Sequence, residues 1–174
     1  HRDLPSFPTR RSSDLADAIW VLVERLASTG VVTDPEALRA RIAEGRGEDL
    51  VAQSGRAFIA HYRTESAQEL GIAIGISPEP VARDVEEGDA REQSARLIVV
   101  VLAPPRLAGR YLQALGAFSR VLSRPVVVDH ILAARTGNEV VALHFLHEVE
   151  LAPQLSVREL MTESPRSTRA DTLL

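Results

Sequence analysis

His61 closes the short apolar run Arg56-Ala57-Phe58-Ile59-Ala60-His61, just ahead of Tyr62-Arg63-Thr64. A strand here would deliver the imidazole to the start of a loop, on a rigid base yet within reach of solvent. Imidazole titrates near neutrality, and its neutral form can act as a nucleophile. Taken alone, such a histidine is more often a core or surface residue. Four other histidines carry less. In His144-Phe145-Leu146-His147-Glu148 two imidazoles could share a helical face for a metal, but the order is not His-Glu-x-x-His and a third ligand is missing. A surface or interface pair is the plainer reading, and no metal is expected. His130 follows Asp129 at a helix start and reads as structural. The remaining histidine, His1, opens the chain.

Other chemistries are closed by composition. The chain has no cysteine, which removes disulfides, thiolate catalysis and cysteine-ligated zinc. All 20 basic residues are arginine, so Schiff-base and P-loop lysines are excluded. No Gly-x-Ser-x-Gly or dinucleotide fingerprint is present. A formal net charge of −4 argues against a nucleic-acid partner, which draws a basic excess. The longest apolar run, Leu97 to Ala103, is strand-sized, far short of the roughly 20 residues that cross a bilayer. Direct membrane insertion is therefore not expected, and no signal peptide is read.

The elements that must position His61 follow from periodicity. Ala18, Ile19, Leu22, Val23 and Leu26 recur at helical spacing, with Gly30 as a stop. Thr33 or Asp34 can cap a second helix that opens with Pro35 and Glu36, presents Ala37, Leu38 and Ile42, and ends at Gly45 and Gly47. Residues 45–56 read as a polar loop. Residues 57–61 and 70–76 read as strands with side chains suited to burial on both faces. The turn Ser77-Pro78-Glu79-Pro80 and a charged loop with a short strand over 80–95 come next. Leu97 to Ala103 is a strand ended by Pro104-Pro105. A helix from Leu107 to Leu122 places Tyr111, Leu112, Leu115, Phe118, Ser119 and Leu122 on one face, most simply a core face. Pro125 breaks it, and a short helix then ends near Gly137. Val140 to Val149 is a final strand or helix. This alternation implies an α/β three-layer sandwich, a mixed sheet of about five strands flanked by helices. With aromatics at 4%, the core must be filled by Leu, Val, Ile and Ala.

The order of these elements, with Phe58-Ile59-Ala60-His61, Gly75-Ile76-Ser77-Pro78-Glu79, the strand ending Ala103-Pro104, and Tyr111-Leu112-Gln113-Ala114-Leu115, resembles the type-2 enzyme IIA domain of the bacterial phosphoenolpyruvate-dependent phosphotransferase system, the fructose, mannitol and nitrogen-regulatory class. The resemblance covers residues 15 to 148. It implies a cytoplasmic domain in which His61 accepts a phosphoryl group from a phosphohistidine carrier protein. A IIB-like domain or a regulated transporter would receive the group or respond to it, with no cofactor. It also implies that Tyr111 occupies the place of a second family histidine, and that Arg46 lies near the family's loop arginine. A phenol can hydrogen-bond phosphate but cannot take a positive charge near neutral pH. The chain departs from the pattern elsewhere. Gly47 replaces a glutamate, Leu50 and Val51 replace a Ser-Thr step, and Ala60 replaces the proline before the histidine. Arg56 or Arg63 could supply phosphate donors instead, since guanidinium suits phosphate oxygens, or both could be solvated surface residues. Two readings stay open: a phosphorylatable domain with altered tuning, and a degenerate domain kept for regulatory binding.

The ends read differently. Residues 1–14 lack a Met start and any hydrophobic period, and match translated sequencing-adapter read-through, so the native N-terminus is expected to be missing. The phosphotransfer-like domain is placed at 15–150. Residues 151–174 form a linker and then Val157-Arg158-Glu159-Leu160-Met161-Thr162, which resembles the opening of a CBS domain, an adenine-nucleotide-sensing module cut short here.

Overall fold

The computed structural model describes residues 15–53, 55–83 and 94–143. The helix expected first is α1, Leu15–Ser28, and it buries the predicted stripe Ala18, Ile19, Leu22, Val23 and Leu26. α2 spans Glu36–Glu44 and buries Leu38 and Ile42, leaving Ala37 exposed. Asp34 caps it, its Oδ1 accepting the Ala37 N–H at 3.3 Å, while Thr33 turns its hydroxyl to the Ser66 carbonyl instead. Gly45 ends α2 in the left-handed region at φ +58°, where an L side chain is strained.

The polar stretch after α2 is not all loop. It forms a 3-10 turn, Gly47–Asp49, and a short strand β1, Leu50–Gln53. β2 spans Ala57–Arg63, β3 Gly71–Ala82 and β4 Ser94–Ala103, each longer than its apolar run implied. β1 and β3 carry polar or exposed positions, and their extent is set by partners: β1 pairs Leu50 with Ala60 through Gln53 with Ala57, and β3 runs on past an irregularity between Ile76 and Val81. The sheet order is β1-β2-β4-β3, with β2 parallel to β4 and both outer strands antiparallel. The mixed sheet is as expected, with four strands among the described residues in place of five.

Alternation along β2 and β4 sorts the core into two layers. Phe58, Ala60, Tyr62, Ile98, Val100 and Leu102 pack toward α1 and α2. Ala57, Ile59, Leu97, Val99, Val101 and Ala103 pack toward α3, Ala108–Leu122, and α4, Pro125–Ala133. This is the three-layer sandwich. The buried face of α3 is Tyr111, Ala114, Ala117, Phe118, Val121 and Leu122; Leu112 is exposed and Ser119 only partly covered, so the predicted stripe was rotated. Small alanines let α3 approach the sheet, and a reading that weights only large apolar residues passes over them. A short α5, Gly137–Val141, starts the last predicted element, whose remaining residues lie outside those described. So do the adapter-like opening, the CBS-like tail, and His144 and His147.

Candidate functional site

His61 lies two residues before the C-terminal end of β2, opposite Val101 of β4. The C-terminal ends of parallel strands are where α/β sheets commonly present ligand sites. Because Ile59 faces α3, the period of two turns His61 to the same side and Tyr62 to the other.

There His61 meets Tyr111, carried in the first turns of α3. The His61 Nδ1 lies 2.6 Å from the Tyr111 hydroxyl, with the rings edge to face at 5.9 Å and 64°. Nε2 has no hydrogen-bond partner among the described residues. If Nδ1 carries the ring proton, it donates to the phenol oxygen and the Nε2 lone pair is free for attack. In the other tautomer the phenol donates to Nδ1 and the proton sits on Nε2.

Electrostatics favour neutral groups here. Burial lowers the His61 pKa below its ordinary value; Asp49 pulls it back up and Arg41 pushes it down. Burial raises the Tyr111 pKa, opposed by Arg63, so the phenol keeps its proton at neutral pH. The Arg63 guanidinium sits 6.0 Å from the centre of the Tyr111 ring, and Arg63 is exposed.

The remaining predicted donors lie elsewhere. Arg56 precedes β2, at the opposite end from His61, roughly 16 Å away at the usual rise of an extended strand, and forms an ion pair with Asp129 of α4. Arg46 pairs with Glu44 at 2.6 Å and with Glu48 at 3.9 Å. It lines a cavity of about 140 Å³ beside α1 and α2, with Tyr62, Asp49, Leu50 and Arg83, on the side of the sheet away from Tyr111. His130 is exposed on α4. No group of three or more metal-binding side chains occurs among the described residues.

Two residues behind the site, on the face of the sheet away from Tyr111, were not legible in the sequence. Asp49, in the 3-10 turn, is buried, and both its oxygens are held by Arg41 of α2: Nε to Oδ2 at 2.8 Å and Nη2 to Oδ1 at 2.5 Å. Arg41 Nη1 also reaches the Arg63 carbonyl at 3.5 Å, and its guanidinium lies 5.5 Å from the Tyr62 ring centre. An arginine on a charged helix and an aspartate after two glycines carry no periodic signal that would join them.

With this geometry established, the class of protein is plain: a three-layer α/β domain with one histidine at a strand end facing a helix start. A family model, the phosphoenolpyruvate-dependent sugar phosphotransferase system EIIA 2 domain, matches residues 7–145, and the chain belongs to that family. Among solved structures, it is similar to IIA mannitol from Escherichia coli, with TM-score 0.59 and 20% identity over 83% of this chain and 95% of that one. It is also similar to the nitrogen regulatory protein IIA-Ntr from Neisseria meningitidis, with TM-score 0.58 and 17% identity over 79% and 90%. A third is the complex of enzyme IIAMTL and phosphorylated enzyme IIBMTL from Escherichia coli, with TM-score 0.59 and 18% identity over 83% and 92%. At these identities the likeness speaks for the fold. A search of curated proteins gives no match.

Proposed function

We propose that the domain carries a phosphoryl group on His61, taken from a phosphohistidine carrier protein and passed to a IIB-like domain or used to signal to a regulated transporter. The observation that carries this is the His61 Nδ1–Tyr111 contact, which leaves Nε2 as the ring nitrogen without a partner among the described residues. In this reading Nδ1–H donates to the phenol and the Nε2 lone pair attacks the phosphorus of the donor phosphohistidine. The N–P bond of the donor breaks as the new one forms, and the donor imidazole leaves with the electron pair. Burial keeps His61 neutral and ready to attack. Arg63, whose guanidinium lies over the Tyr111 ring, would meet the phosphoryl oxygens in this reading, and the positive end of α3 favours the same charge. Arg46 and Arg56, with carboxylate partners of their own, are assigned no part.

The test uses the 174-residue chain with phosphoenolpyruvate, the general enzyme I and the phosphocarrier protein. An acid-labile mass increase of one phosphate, absent from His61→Ala, is the expected result. A folded protein that takes no label from a cognate carrier would leave the second reading: a regulatory binding domain that has lost the chemistry. That reading draws on Tyr111 at a histidine position and on Leu50 and Val51, which the sheet uses as β1 pairing residues and which have no hydroxyls to offer. The CBS-like segment Val157–Thr162 favours a regulatory setting for either.

A further inference from the structure

We propose that Arg41 and Asp49 are positioning residues for the His61 site, tying α2 and the turn before β1 to the end of β2 and balancing charge behind the imidazole. The proposal rests on the phosphoryl-carrier reading for its kinetic part only. A buried carboxylate must be paired and hydrogen-bonded to stay charged. Asp49 meets that requirement with a two-point grip from one guanidinium, the planar geometry that arginine supplies and lysine cannot. The same guanidinium has a third contact, the carbonyl of Arg63, two residues beyond His61. One side chain therefore joins three segments: α2, the 3-10 turn Gly47–Asp49, and the C-terminal end of β2. Its stacking on Tyr62, the residue after His61, adds a further restraint on that strand end.

Among the described residues, the charged and titratable groups around His61 are Asp49 from the turn, Arg41 from α2, Tyr111 from α3, and Tyr62 and Arg63 on its own strand. Both tyrosines are held neutral, their pKa values raised first of all by burial. Arg63 is exposed and its charge is screened. Asp49 and Arg41 remain, and they act on His61 in opposite directions. Intact, the two offset each other in part. Broken on either side, it leaves one uncompensated charge near the imidazole.

The experiment is a histidine NMR titration of the whole chain, with His61 assigned by loss of its signal in His61→Gln. Asp49→Asn leaves Arg41 unbalanced, and the His61 midpoint is expected to fall. Arg41→Gln leaves Asp49 unbalanced, and the midpoint is expected to rise. The double variant is expected to fall between the two single variants. Two folded single variants with unmoved midpoints, or midpoints moved in the same direction, would overturn the proposal. If Arg41→Gln does not fold, Arg41→Lys is the companion: charge is kept and the two-point grip is lost. Its midpoint is expected to stay close to wild type while phosphorylation slows about tenfold or more. An unchanged rate would sink the positioning role. If the wild-type chain takes no phosphate, the carrier reading fails by itself, and the opposed titration shifts still decide the charge relationship.

Discussion

The Tyr111 hydroxyl lies 2.6 Å from Nδ1 of His61, joining a helix start to a strand end across 50 residues of sequence. The phenol occupies Nδ1, and when Nδ1 carries the ring proton and donates to it, the Nε2 lone pair is the one that can react. It does so without adding a charge, which a second histidine could.

Tyr111→Phe should therefore slow phosphorylation without abolishing it. Loss of one hydrogen bond of about 0.5–1.5 kcal/mol corresponds to a drop of about twofold to tenfold in rate. Rapid-quench measurement with phosphorylated carrier protein checks the rate. Nitrogen-15 shifts of the His61 ring should show a mixture of tautomers in the variant and one dominant form in the wild type. A variant with unchanged rate and tautomer would remove Tyr111 from the site.

The phosphorylation rate should have an acid limb. Burial depresses the folded-state pKa of His61, so its apparent midpoint is expected below the ordinary histidine value of about 6.5. Stability follows the same sign. The unfolded chain binds the proton more readily, so the His61 contribution is fully present above about pH 6.5 and is lost as pH falls through the folded value. The difference between wild type and His61→Gln in denaturation midpoints, taken across this window, is the measurement.

Arg63→Ala and Arg56→Ala should behave differently. Arg63 lies over the Tyr111 ring, and its loss is expected to slow phosphoryl transfer about tenfold, the scale of a charged hydrogen bond. Arg56 is at the far end of β2 on Asp129, and its loss should leave transfer unchanged. Equal effects would contradict the placement of the site at the C-terminal end of the strand.

Gly71→Ala should destabilise the fold. A Cβ there would collide with Val31 Cγ1 and lie 3.4 Å from Leu26 Cδ2, at the point where β3 passes under the end of α1. Overpacking of this kind costs about 1–3 kcal/mol. Urea denaturation should show the loss, and adding Val31→Ala should recover part of it.

What the sequence determined by itself is local and periodic. The stripe from Ala18 to Leu26, the strand through Leu97–Ala103 and the helix ended by Pro125 were legible because a helix repeats every 3.6 residues, a buried strand is a short apolar run, and proline interrupts both. His61 at a strand end was legible for the same reason, since its strand is apolar up to that point. Tertiary structure decided everything that depends on partners distant in sequence. β1 exists because β2 offers hydrogen bonds to Leu50–Gln53, four residues too few to show a period of their own. Of the three arginines named as phosphate donors, only Arg63 is beside His61, because strand direction and carboxylate partners send Arg56 and Arg46 elsewhere. The Arg41–Asp49 grip has no sequence signature, because burial of the carboxylate is imposed by the packing of the 3-10 turn against β1 and β2 and cannot be written in either residue alone.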